Sequence, residues 1–132
     1  MCIRDRGWAL QYFLGATLRP GLELVADIVG LDDQLAQADL VLTAEGSVDR
    51  QTPNGKAIQR ICQHAADAGV PVLVFGGRVD LEPDRLPGAI VQLVSITPPG
   101  QPLEEALRRG PENLRLAVAD AVRRWAAGVP AR

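Results

Sequence analysis

This sequence predicts an α/β fold with a mainly parallel sheet, and three observations carry the prediction. Short apolar runs rich in β-branched residues occur at 39–44, 70–75 and 89–96, as expected of strands buried on both faces. Around them lie stretches whose apolar residues recur every three to four positions, which is the spacing of one helix face. Strands alternating with such helices form βαβ units, whose sheets are parallel and covered by helices. Three strands make a small sheet, so the unit reads as part of a larger domain.

Taken in order, residues 8–17 are apolar enough for a helix, and Arg19-Pro20-Gly21 interrupts it. Pro20 suits the position just ahead of a new helix. Leu22, Leu24, Val25, Ile28 and Val29 follow at helical spacing, with Gly30 as the stop. Asp32 or Asp33 opens a short helical turn ending near Ala38. The first strand, 39–44, leads into a polar loop from Glu45 to Asn54. A helix over 55–68 places Ile58, Ile61, Cys62, Ala65 and Ala68 on one face, and Gly69 stops it. The second strand ends at Gly76-Gly77, and Gly76-Gly77-Arg78 could approach the nucleotide or substrate but reads first as a strand-end turn. After the third strand, 103–109 is a short helix broken by Gly110-Pro111. Leu114, Ala117, Val118, Ala121, Val122 and Trp125 then line a final helix. Trp8 and Trp125 read as packing residues, and His64, beside Gln63, as a solvated histidine.

Composition narrows the function. The 132 residues carry a formal net charge of −2, and Lys56 is the only lysine among fourteen basic residues. No basic run exists to hold a nucleic-acid backbone or an anionic membrane surface. Two cysteines, Cys2 and Cys62, make neither a disulfide framework nor a metal cluster of recognised spacing. No stretch approaches the ~20 apolar residues that span a bilayer, and no signal-peptide pattern is present, so the expected compartment is the cytoplasm. Residues 1–6, Met-Cys-Ile-Arg-Asp-Arg, resemble the translated end of a sequencing adapter. Native sequence is therefore expected from about Gly7 through residue 132, with further sequence upstream of it.

The segment with chemical content is Thr43-Ala44-Glu45-Gly46-Ser47-Val48-Asp49-Arg50-Gln51-Thr52-Pro53-Asn54-Gly55-Lys56. It runs from the carboxyl end of a strand to a helix N-terminus, where open α/β sheets bind ligands. Unpaired N–H groups and the helix dipole suit a phosphate there. Gly46 and Gly55 permit close approach, Glu45 and Asp49 could hold a metal or accept a proton, and Lys56 could neutralise phosphate charge. A Walker A loop is excluded, because eight residues separate Gly46 from Gly55 and Ala57 follows Lys56. From the residues alone, an anion-binding loop and a solvated connector both stand.

Glu45, Gly46, Asp49, Gln51, Thr52, Gly55 and Lys56 resemble the Glu-Gly-x-x-Asp-x-Gln-Thr-x-x-Gly-Lys signature of the type I glycerate kinases. The stretch 13–21, and Leu103-Glu104-Glu105-Ala106-Leu107 with Glu112-Asn113-Leu114, look like the family's flanking segments. The resemblance runs from about Gly7 to about Trp125. It implies a Rossmann-like three-layer α/β/α unit, incomplete because the N-terminal part is missing, and a parent enzyme that uses ATP and Mg²⁺ to phosphorylate a hydroxyl of D-glycerate. It implies Asp49 and Lys56 as catalytic residues, and Glu45, Gly46, Gln51, Thr52 and Gly55 as substrate-binding residues. Glu45 and Asp49 are the implied metal ligands.

The chain also departs from the family pattern. Ala44 stands where the family has glycine, which is expected to alter the turn. Ile58-Gln59-Arg60-Ile61 replaces a proline-containing segment, and Gly110-Pro111 breaks a helix that is often continuous. The family's N-terminal Asp-Ser-Phe-Lys segment is absent, so this chain by itself is expected to be inactive. Two rival readings remain: a small non-catalytic phosphometabolite-binding domain, and a piece with exposed apolar faces and no activity of its own.

Overall fold

The computed structural model describes residues 3–53 and 57–128. In chain order its elements are α1 (Ile3–Leu14), α2 (Gly21–Val29), α3 (Leu31–Leu35), β1 (Val41–Val48), α4 (Ala57–Asp67), β2 (Val72–Val79), a 3₁₀ turn (Pro83–Arg85), β3 (Ile90–Ser95), α5 (Leu103–Arg108) and α6 (Gly110–Ala126). The chain divides into two compact units, Met1–Leu31 and Asp32–Arg132.

The first unit is a pair of helices. The expected helix over 8–17 begins earlier and ends at Leu14, because Gly15 adopts a φ of 63° that no side-chain-bearing residue enters cheaply. Pro20 directly precedes α2, and Gly30, also left-handed, closes it by donating its N–H to the Ala26 carbonyl. Arg19 donates to Asp27 at 2.6 Å. Trp8 stacks on Tyr12 with centroids 5.3 Å apart, and Phe13 meets both rings edge-on. Trp8 thus packs on its aromatic neighbours yet stays 60% exposed, and Phe13 and Ile28 are 71% and 75% exposed. This unit presents a wide apolar surface, of a kind complete monomers seldom leave open.

The second unit is the predicted three-layer arrangement. Its sheet has the order β1-β2-β3 and is wholly parallel, with Val41 opposite Val72 and Val48 opposite Val79. Leu73, Phe75 and Val94 bury one face against Ala121 of α6, with Leu114, Ala117, Val118 and Val122 packed around them. Burying side chains of this size stabilises by roughly 1.5–3 kcal/mol each. Strand alternation sends Val72 and Val74 to the opposite face. There α4 packs on β1 and β2 and buries Ile58, Cys62 and Ala65. α6 lies over β2 and β3, and on its side of the sheet Leu42 of β1 remains 47% exposed.

Several boundaries differ from expectation. β1 does not stop at Ala44 but continues through Glu45-Gly46-Ser47 to Val48. β2 likewise passes through Gly76-Gly77 to Val79, so the glycine pair is not a strand-end turn. The added residues are held by pairing, since Val48 is fully buried opposite Val79 and its carbonyl accepts the Asp80 N–H at 2.7 Å. Ala44 therefore lies in regular strand opposite Phe75 with its side exposed, and it constrains no turn. The final helix starts at Gly110 with Pro111 in its first turn, where a missing N–H costs nothing. The expected helix start at Gly55 lies outside the described residues.

His64 is not a solvated histidine. Its side chain is only 20% exposed, and Nδ1 stands 2.8 Å from Asp32 Oδ1, joining α4 to α3. Cys62 is fully buried as a small hydrophobe, and burial pushes its thiol up to about 11.

Candidate active site at the carboxyl end of the sheet

The candidate segment begins inside β1 and leaves it at a tight turn. Glu45 is half-buried and paired with Gly76, with one carboxylate oxygen buried. Beside it, a Cβ on Gly77 would stand 2.7 Å from the Gly46 carbonyl oxygen. A Cβ on Gly76 would meet the Arg78 carbonyl at 2.7 Å and methyls of Val48 and Val79 at 3.0 Å. The two strands can close here only because both positions are glycine. The Gly77 carbonyl accepts the Thr97 hydroxyl at 2.6 Å and the Gly76 carbonyl accepts the Ile96 N–H at 2.9 Å, which ties in the end of β3.

Beyond Val48 the chain folds back on itself from Asp49 to Thr52. Asp49 Oδ1 accepts the Gln51 N–H at 2.8 Å, and Oδ2 accepts the Ser47 hydroxyl at 3.2 Å. The Asp49 N–H donates to Thr52 Oγ1 at 3.0 Å, while the Thr52 N–H donates to the Asp49 carbonyl at 2.9 Å. Aspartate favours such turns because its side chain bonds backbone two residues on. Thr52 is fully buried and acts on Asp49, whereas the Gln51 side chain is exposed.

Asp49, Gln51 and Thr52 thus form one unit at the sheet's carboxyl edge, with Glu45 and Gly46 below it on β1. Glu45 lies within β1 and Asp49 just beyond its end. Among the described residues no group of three or more His, Cys, Asp or Glu could hold a metal ion. Gly55 and Lys56 lie outside the described residues.

One cavity borders the turn through Arg50, and another borders β1 at Ala44, Glu45 and Gly46. The first, of about 560 Å³, is lined by Arg50, Pro53, Asp80, Glu82 and Arg85 among others. The other, of about 620 Å³, is lined by Glu45, Gly46, Gly77, Phe75, Leu103 and Leu107 among others. Sequence reasoning missed Thr97 and Arg85 altogether. The glycine pair inside a β-branched run was the available signal for a close backbone approach.

The model of the glycerate kinase family matches residues 6–126. The chain belongs to that family. Glycerate kinase of Bacillus subtilis (strain 168) is 32% identical over 115 residues, which are 86% of this chain and 30% of the relative. Glycerate kinase of Bacillus cereus (strain ATCC 10987 / NRS 248) is 32% identical over 120 residues, 90% of this chain and 32% of that one. The crystal structure of a protein assigned as glycerate kinase 2 in Salmonella typhimurium LT2 superposes with a TM-score of 0.62 at 33% identity, covering 91% of this chain and 30% of its own. The chain therefore spans about a third of the length of the curated relatives it matches.

Proposed function

We propose that the protein of which these residues are part transfers the γ-phosphoryl group of ATP to a hydroxyl of D-glycerate, giving phosphoglycerate and ADP. The observation that carries this reading is Asp49, fixed by Gln51, Ser47 and Thr52 at the carboxyl edge of a parallel sheet in a chain of this family. Phosphoryl transfer relies on positioning and electrostatics, with a carboxylate to orient the attacking hydroxyl and take its proton. Asp49 is assigned that role. Lys56 is assigned the developing phosphate charge, and Gly55 a substrate contact, as the family signature implies. Gln51, exposed beside Asp49, donates to substrate oxygens, and Thr52 contributes by holding Asp49. Glu45 and Gly46 form the strand floor. Mg²⁺ accompanies ATP in such transfers and neutralises phosphate charge; Glu45 and Asp49 would offer it carboxylates, directly or through its waters.

The 132 residues alone are proposed not to turn over. They span about a third of their relatives, and apolar side chains such as Tyr12, Phe13, Leu103 and Leu107 are at least 71% exposed. The partner proposed to cover these surfaces is further sequence of the same polypeptide. Cytoplasmic operation on soluble small molecules fits a chain in which, among the described residues, no helix is long and apolar enough to cross a membrane. The test is ADP release with D-glycerate as acceptor, run on this chain and on a version extended to the length of its relatives. Turnover by the extended protein alone supports the reading. Turnover by neither, in a folded extended protein, contradicts it and favours a non-catalytic binding domain.

A further inference from the structure

We infer that Arg50 and Arg85 bind the carboxylate of the hydroxy-acid substrate in the 560 Å³ cavity that both residues line, an inference that rests on the proposed reaction. One comes from the turn after β1 and the other from the 3₁₀ turn after β2. Four other arginines are engaged, Arg19 by Asp27, Arg78 by Asp80, Arg109 by Glu105 and Glu112, and Arg124 by Asp120, whereas Arg108, Arg115 and Arg123 line neither of the two cavities. Arg50 and Arg85 have no such carboxylate among the described residues. A guanidinium offers a planar fork of donors that fits a carboxylate with two parallel bonds.

The placement matches the chemistry of the acceptor. Glycerate is a small anion whose hydroxyl carbons lie one and two bonds from its carboxylate carbon. Arg50 follows directly on Asp49 in the turn closed by the Thr52 N–H, so the proposed carboxylate contact and the group assigned to take the proton belong to one turn. Arg85 ends the 3₁₀ turn, where its N–H bonds the Glu82 carbonyl at 3.1 Å and the next residue, Leu86, is buried. Its backbone is thereby anchored. Asp80 and Glu82 line the same cavity and accept hydrogen bonds from hydroxyls, which suits a polyhydroxy acid better than a simple anion. The neighbouring cavity, walled by Phe75, Leu103, Leu107 and Leu114, offers glycerate little, because glycerate has almost no apolar surface.

The test uses the protein extended to the length of its relatives, with Arg50→Gln and Arg85→Gln made singly. Each is expected to raise KM for D-glycerate about tenfold or more, the loss expected of a charge-assisted hydrogen bond, with KM for ATP within about twofold. Preference for glycerate over glycerol, which has the hydroxyls without the carboxylate, should fall by a similar factor, and lysine should restore it only partly. Unchanged KM for glycerate in both variants, or a rise in KM for ATP instead, overturns the inference. Glycerate binding is followed by calorimetry in parallel. Absent turnover then counts against the proposed reaction, while binding weakened by both substitutions still upholds the clamp and unaffected binding refutes it.

Discussion

The Gly46 carbonyl oxygen occupies the place where a side chain on Gly77 would begin, 2.7 Å from an ideal Cβ. The signature strand and its neighbour close on each other through backbone alone. The obstructing atom is backbone and cannot rotate away. Gly77→Ala should therefore cost about 1–3 kcal/mol, as over-packed positions do. Urea denaturation measures it, with Gly110→Ala as control, since a Cβ at Gly110 meets nothing within 4 Å. Equal stability for the two variants would show that the strands do not close as described.

Thr52→Val keeps the shape of a fully buried side chain and removes the acceptor for the Asp49 N–H. Leaving that donor unsatisfied should cost about 1–3 kcal/mol. In the extended enzyme kcat should also fall, because Asp49 loses one of its restraints, and Thr52→Ser should recover most of it. A fall in stability with kcat untouched would make Thr52 a packing residue only.

Strand centres and helix faces were legible because they depend on local pattern. Val72 to Phe75 reads as buried strand, and Ile58, Cys62 and Ala65 share one helical face. The strand ends were not legible. Glu45-Gly46-Ser47 looks like a loop and Gly76-Gly77 like a stop, yet both are drawn into the sheet by Val48 pairing with Val79, thirty-one positions along the chain. The same holds for His64, whose partner Asp32 is 32 residues away. The site divides in a similar way. Family resemblance located Asp49 and its neighbours, but the burial of Thr52 and the cavity joining Arg50 to Arg85 arise only from the fold.

Cys62 gives a pH prediction with a definite sign. Burial raises its thiol from 9.0 to about 11, so the folded state resists ionisation that the unfolded chain permits. Its contribution is complete below pH 9 and is lost as pH rises toward about 11. The stability difference between the protein and Cys62→Ala should therefore shrink across that window in urea titrations. At neutral pH, iodoacetamide should label Cys62 only as fast as the chain unfolds. Rapid labelling of the native protein, or a difference flat through pH 10, would contradict the buried placement.

The most direct test of the central claim is kcat for ATP-dependent phosphorylation of D-glycerate by the extended protein and its Asp49→Asn variant, with thermal unfolding measured alongside. Asparagine preserves the size of the side chain and an oxygen to accept the Gln51 N–H, but it cannot take a proton. A fall of about 10²–10⁴ in kcat is expected, typical of losing a positioned acid–base group, with little change in melting temperature. A variant that retains kcat within about twofold would contradict the assignment of Asp49 to the proton of the attacking hydroxyl.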